Sequence, residues 1–124
     1  MKMKIKFTHH YAQRKTERAD YIHSTNKYVE TARSNPRIER ILRQKGKWYC
    51  KQDPKDGIYR LYCIVNNLEV YCGIIINDEE VPYILITTYY PYSSKLKKRI
   101  FPRRAENYER FDVNDDMDCI LATI

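Results

Sequence analysis

The amino-acid sequence predicts an α+β fold, in which N-terminal helices pack on an antiparallel β-sheet. Three observations lead to this class. Segments with apolar residues at helical spacing precede Gly46, whereas short runs rich in β-branched and aromatic side chains follow it. The length of 124 residues fits one domain and is sufficient to bury a hydrophobic core.

The chain begins with a predicted strand and a predicted helix. Residues 4–7 alternate polar and apolar side chains, which is typical of a short strand. Thr8 is a candidate N-cap for a helix that begins at His9 or His10 and continues through Ile22. The thin apolar stripe of this segment indicates a surface helix with one packed face.

Two further helices are predicted before the sheet. Ser24 or Thr25 can cap the first of them, and Asn35 and Pro36 end it. Pro36 can also start the next helix, with Asn35 as its cap and Gly46 at its end. The apolar side chains of this helix would face inward and its cations outward: Ile38, Ile41 and Leu42 against Arg37, Arg40, Arg43 and Lys45.

The second half of the chain predicts a meander of strands. Residues 47–51, 58–65, 68–76 and 82–89 are the strand runs, and residues 53–57 form a turn. Short connections between successive runs favour antiparallel neighbours.

The hairpin around Asn66-Asn67 predicts a register. These two residues fit a two-residue turn in which both take positive φ, so that Val65 pairs with Leu68. One face would then be wholly apolar and carry Leu61, Cys63, Val65, Leu68, Val70 and Cys72. The other face would carry Arg60, Tyr62, Ile64, Glu69, Tyr71 and Gly73.

The positive charge of the chain is unevenly distributed. The net charge is +7, but residues 1–104 hold 22 basic and 10 acidic side chains, for a net charge of +12. Residues 105–124 carry a net charge of −5. We therefore predict a single domain over residues 1–104 and an acidic C-terminal tail over residues 105–124. A basic body favours a polyanionic partner, nucleic acid before membrane.

The tail has three open interpretations. It could cover the basic surface, it could serve solubility, or it could add a last strand at residues 119–121. The 12 tyrosines are a further excess, since such rings can stack on bases or can simply reflect a biased composition.

Several other classes of protein are disfavoured. The four cysteines form no Cys-x-x-Cys pair, and the three histidines lack partners at metal-ligand spacing, so we expect no metal and no cofactor. The N-terminus lacks a secretory apolar segment, and the longest uncharged run, residues 81–94, is too short and too broken to span a bilayer. We therefore expect a cytoplasmic protein with reduced cysteines and no membrane partner.

One helical stripe could bind phosphates. His10, Arg14 and Arg18 are spaced four residues apart and would lie along one side of the first helix. Three aligned hydrogen-bond donors can bind the phosphates of a nucleic-acid backbone. The alternative is a solvated helix face, with Glu17 and Asp20 as local counter-charges.

The order of short motifs resembles a known family. The motifs are Phe7-Thr8-His9-His10-x-x-x-Arg14-x-x-Glu17-Arg18, then Asn35-Pro36, Gly57-Ile58-Tyr59-Arg60 and Ile86-Thr87-Thr88-Tyr89. Over residues 5–92 the chain is similar to the RelE/ParE superfamily of toxin-antitoxin toxins, in particular to the short BrnT-like branch. That branch opens with a His-x-x-x-Arg-x-x-Glu-Arg helix.

The resemblance implies a RelE-like fold with a curved sheet, and a metal-independent endoribonuclease or a relative without that activity. RNA, including ribosome-associated messenger RNA, would lie on the exposed sheet face, and an acidic antitoxin protein would be the partner. Arg60 could hold the phosphate, His10 could act as acid or base, and three tyrosines could stack a base or relay a proton: Tyr62, Tyr71 and Tyr89. Further RNA contacts would come from Arg14, Arg18, Lys95, Lys97, Lys98 and Arg99.

Two other functions stay open at this point. The chain could be a non-catalytic nucleic-acid-binding module, which needs the basic surface but no acid or base. It could also be a small protein-interaction domain whose tyrosines form a dimer interface. The sequence leaves the oligomeric state open.

Overall fold

The computed structural model describes residues 3–12, 33–77, 82–91 and 108–123. Residues 9–12 are helical. The remaining elements, in chain order, are β1 (Lys4–Phe7), β2 (Arg33–Ser34), α1 (Pro36–Lys45), β3 (Gly46–Gln52), β4 (Tyr59–Val65), β5 (Glu69–Ile76), β6 (Tyr83–Pro91), β7 (Glu109–Phe111) and α2 (Met117–Thr123). The predicted continuation of the first helix to Ile22 and the helix after Ser24 or Thr25 lie outside the described residues.

The strands form one seven-stranded sheet in the order β2-β1-β6-β5-β4-β3-β7. The α+β class is therefore confirmed. The prediction of a wholly antiparallel sheet is wrong, because β1 runs parallel to β6, with Lys4 opposite Tyr83 and Phe7 opposite Ile86. Most of the chain separates these two strands, so no short hairpin turn forces them to run in opposite directions.

Helix α1 confirms the predicted helix before the sheet. The Asn35 side chain accepts a hydrogen bond from the Ile38 N–H at 3.3 Å, and the Gly46 N–H donates to the Leu42 carbonyl. Leu42 is fully buried against the sheet. Of the four cations expected to face outward, three are exposed, but Arg43 is only half-exposed because it bonds to neighbouring segments.

The β4–β5 hairpin differs from the prediction by one residue. Asn66 and Asn67 both take positive φ, 54° and 56°, as predicted. However, Val65 pairs with Glu69 and not with Leu68, which joins the loop and is 68% exposed. The predicted register is therefore wrong, and Tyr71 moves to the opposite face from Tyr62.

Both faces of the sheet are largely buried. The helix face, against which Leu42 packs, carries Leu61, Cys63, Val65, Tyr71 and Ile75 in one hydrophobic cluster. The opposite face, here the outer face, carries Tyr62, Ile64, Val70 and Leu85, each no more than 4% exposed. The centre of the outer face is thus a second core and not an open tyrosine-lined surface.

The described part of the acidic C-terminal segment belongs to the fold. Strand β7 pairs with β3 and places Phe111 opposite Trp48, with the two rings 5.8 Å apart. Val113 and Ile120, two apolar residues that stand among the carboxylates of this segment, are also buried. One of the three interpretations of this segment, a last strand at residues 119–121, is wrong because these residues lie in α2, and the other two stay open. The domain boundary at residue 104 stays a prediction.

Candidate nucleic-acid interface

The five predicted catalytic residues do not meet at one place. Arg60 and Tyr62 lie on β4, and both of their side chains are on the outer face of the sheet. Tyr71 and Tyr89 pair with each other on the helix face, so they lie on the opposite side of the sheet from Tyr62. The sequence register had placed Tyr62 and Tyr71 together, and the one-residue shift separates them.

Tyr71 and Tyr89 share a carboxylate that the sequence had not singled out. Their hydroxyls donate to the two carboxylate oxygens of Glu69 at 3.1 and 2.9 Å. Tyr11 lies next to Tyr71, with ring centroids 5.9 Å apart. Burial, followed by the nearby charge of Glu69, raises the pKa of Tyr11, and burial with neighbouring Tyr11 raises the pKa of Tyr71. Both phenols therefore stay protonated, and this cluster stabilises the core.

His10 lies in the helical residues 9–12 and is 5% exposed. Thr8 positions this helical turn, because its hydroxyl accepts from the Tyr11 N–H at 2.9 Å and its N–H donates to the Ile86 carbonyl at 3.1 Å. The position of His10 leaves little of its ring open to a ligand. The other predicted phosphate contacts lie outside the described residues: Arg14, Arg18, Lys95, Lys97, Lys98 and Arg99.

Arg60 is held by two carboxylates of the β3–β4 turn. Its Nη1 lies 3.1 Å from Asp53 Oδ2 and 3.2 Å from Asp56 Oδ1, and its Nη2 lies 2.9 Å from Asp56 Oδ2. The hydrogen bonds with Arg60 hold the pKa of the Asp56 carboxyl below its ordinary value, and the same pair raises the pKa of Arg60. The charge of Arg60 is thus balanced in the free protein.

A basic and aromatic surface lies at the β3 end of the outer face. We call it the β3 strip, and its members are Lys47, Tyr49, Lys51, Arg60 and Arg110. Tyr49 stands between Tyr62 on β4 and Arg110 on β7, while Lys51 lies opposite Arg60. The Tyr49 and Tyr62 rings are stacked with centroids 4.9 Å apart, and Arg110 Cζ lies 5.2 Å from the Tyr49 centroid.

The members of the strip are accessible to different extents. Lys47 and Arg110 are exposed, and Tyr49, Lys51 and Arg60 are half-buried. Sequence reasoning identified only Arg60 among its five members. The alternation along β3 was the available signal for Lys47, Tyr49 and Lys51, since a strand places every second residue on one face.

The comparisons leave the family of the chain open. No family model, no curated protein and no solved structure matches it. Within residues 3–12, 33–77, 82–91 and 108–123, no group of three His, Cys, Asp or Glu side chains is placed to hold a metal ion. None of the described helices has the length and apolar character needed to cross a membrane.

Proposed function

We propose that this protein is a non-catalytic RNA-binding module of RelE-like fold, and that it binds single-stranded RNA on the β3 strip. The observation that carries the proposal is the placement of Lys47, Lys51 and Arg110 around the stacked Tyr49 on one side of the sheet. Proteins that bind single-stranded RNA typically place basic side chains along the phosphate backbone and aromatic side chains against the bases.

The geometry favours binding over cleavage. Cleavage through the 2′-hydroxyl needs an acid, a base and a phosphate-stabilising group at one place. Here Tyr62 and Tyr71 lie on opposite faces of the sheet, and both are no more than 3% exposed. His10 is buried as well. A binding role requires none of these groups to converge.

An endoribonuclease toxin, neutralised by an acidic antitoxin protein, is the second candidate. One observation favours it: the Arg60 side chain is 41% exposed and lies opposite Lys51, where both could reach one phosphate. Incubation of the purified protein with messenger RNA and a chelator, alone and with ribosomes, tests this candidate. Cleavage that Arg60→Ala abolishes would support it, and intact RNA in every reaction would reject it.

The cellular setting belongs to the proposal as well. We place the protein in the cytoplasm, where single-stranded RNA is available. The arrangement of the cysteines supports this, because no disulfide joins any of the four.

RNA titrations over a range of salt concentrations test the binding role. The triple variant Lys47→Gln/Lys51→Gln/Arg110→Gln should bind a single-stranded RNA more weakly and lower the salt slope by about 2, because each single-strand phosphate contact contributes about 0.7. The melting temperature of each variant, followed by circular dichroism, shows that it remains folded.

The matched control removes the same charge elsewhere. Arg33, Arg37 and Arg40 are exposed on β2 and α1, and α1 lies on the helix face. Their triple substitution by Gln should leave the salt slope almost unchanged. Equal losses in the two triple variants would show diffuse attraction without a site, and no binding by the native protein would reject the proposed function.

A further inference from the structure

The carboxylates on Arg60 occupy the positions that phosphate oxygens would take. Asp56 uses both of its carboxylate oxygens on two guanidinium nitrogens, at 3.2 and 2.9 Å. Arginine also binds phosphate in this bidentate arrangement. Asp53 Oδ2 adds a third anionic oxygen at 3.1 Å. The turn therefore presents Arg60 with an internal substitute for a phosphate group.

The turn holds these carboxylates in place independently of Arg60. Asp53 Oδ1 accepts from the Lys55 N–H, and Asp56 Oδ1 accepts from the Ile58 N–H, each at 2.9 Å. The Asp53 N–H donates to the Ile58 carbonyl at 2.9 Å and closes the turn. Because the turn is closed by its own bonds, the carboxylates are presented to Arg60 in a fixed orientation.

The contact lies at the surface and next to the other cations of the β3 strip. The side chains of Arg60, Asp53 and Asp56 are 41%, 33% and 40% exposed. Exposed ion pairs of this kind contribute little to stability and are screened by salt. An RNA already held by Lys51, which lies opposite Arg60, brings phosphates close enough to compete for the guanidinium.

We propose that Arg60 is a phosphate-binding subsite of the β3 strip, and that Asp53 and Asp56 close it in the free protein. This inference rests on the proposed function, since it takes RNA to lie along the strip. When RNA binds, one of its phosphates replaces the two carboxylates on the Arg60 guanidinium. The closed subsite then limits binding to RNAs that also engage the neighbouring lysines, and isolated phosphates are held weakly.

RNA affinity measured in two backgrounds tests the subsite. Asp53→Asn/Asp56→Asn should tighten RNA binding by about fivefold at low salt, because the phosphate no longer has to displace carboxylates, whose exposed pairing with Arg60 is weak. The same pair of changes in an Arg60→Gln background should tighten binding no more than removal of two carboxylates elsewhere on the surface. Asp115→Asn/Asp118→Asn, two exposed carboxylates that belong neither to the turn nor to the β3 strip, is the control for removing two negative charges.

The outcomes separate the two proposals. A gain of equal size with and without Arg60, or an equal gain in the control, would overturn the closed subsite and leave RNA binding intact. If no variant binds RNA, the proposed function fails, and pyrophosphate becomes the probe. A shift of the Arg60 Nε–H resonance with pyrophosphate in Asp53→Asn/Asp56→Asn, absent in the native protein, would support the subsite alone, and no shift in either would overturn it.

Discussion

Arg43 and Asn114 exchange hydrogen bonds between α1 and the C-terminal segment. Arg43 Nη1 donates to Asn114 Oδ1 at 3.5 Å, and Asn114 Nδ2 donates to the Arg43 carbonyl at 3.3 Å. The same guanidinium donates to the Val113 carbonyl at 3.3 Å, to the Met3 carbonyl and to Glu39 at 3.0 Å. One side chain therefore joins the start of β1, helix α1 and the segment after β7.

The first prediction concerns this junction. Arg43→Ala should lower the free energy of unfolding by about 2–3 kcal/mol, since it leaves partly buried carbonyl groups without their donor. Urea unfolding followed by circular dichroism measures the change. Arg40→Ala, an exposed arginine on the same helix, should change stability by less than about 0.5 kcal/mol. Equal effects of the two substitutions would show that Arg43 contributes no specific contact.

Local signals predicted helix α1 and the turns well. Asn35 followed by Pro36 marked the start of the helix, and Gly46 marked its end. The two asparagines of the β4–β5 hairpin take the positive φ expected of them. In each case neighbouring residues in the chain determine the conformation, so no distant contact was needed for the prediction.

The register of the same hairpin could not be predicted by the same logic. Alternation selects a register only where one face is apolar and the other polar. Here Ile64 and Val70 on the outer face are as buried as Cys63 and Tyr71 on the helix face. A shift by one residue therefore leaves apolar side chains on both faces, and the sequence pattern does not distinguish the two alternatives.

The second prediction follows from this register. Leu68→Asn should change the free energy of unfolding by less than about 0.5 kcal/mol, because Leu68 lies in the loop and is 68% exposed. Tyr71→Ala should cost about 3–5 kcal/mol, since Tyr71 is 1% exposed within the helix-face cluster. Thermal and urea unfolding measure both. A large loss from Leu68→Asn would contradict the observed register and favour pairing of Val65 with Leu68.

The β3 strip depends on contacts between distant parts of the chain. Lys47, Tyr49 and Lys51 share one side of β3 and could be grouped from the sequence, but Arg110 reaches Tyr49 only because β7 pairs with β3. Acidic composition suggested a tail for this segment, while Phe111 and Val113 in the same segment are buried. Pairing of an edge strand with a remote neighbour has no local signal in one sequence.

The third prediction concerns the space around Gly46. This residue has a φ of −77°, so its conformation suits any amino acid, but a Cβ there would overlap Cys63 Sγ and the Leu42 carbonyl. That carbonyl also accepts the Trp48 indole N–H at 3.1 Å. Gly46→Ala should therefore lower the free energy of unfolding by about 1–3 kcal/mol.

Two variants check this explanation in urea unfolding. Lys47→Ala, at the exposed neighbouring position, should cost less than about 0.5 kcal/mol. Adding Cys63→Ala to Gly46→Ala should not restore stability, because the overlap with the backbone carbonyl of Leu42 remains. Full recovery in that double variant would show that the sulfur alone limits the space.

The fourth prediction is the acid titration of Asp56. Hydrogen bonds from Arg60 and from the Ile58 N–H favour the ionised carboxylate, so the pKa of Asp56 lies below its ordinary value. A carboxyl whose pKa is lowered by folding adds stability above its unfolded pKa, about 3.9, and loses it as the pH falls through the folded value. Carbon NMR titration of the carboxyl should show the low value in the native protein and in Arg40→Gln, and a rise toward the ordinary value in Arg60→Gln. An ordinary pKa in the native protein would mean that Asp56 does not engage Arg60.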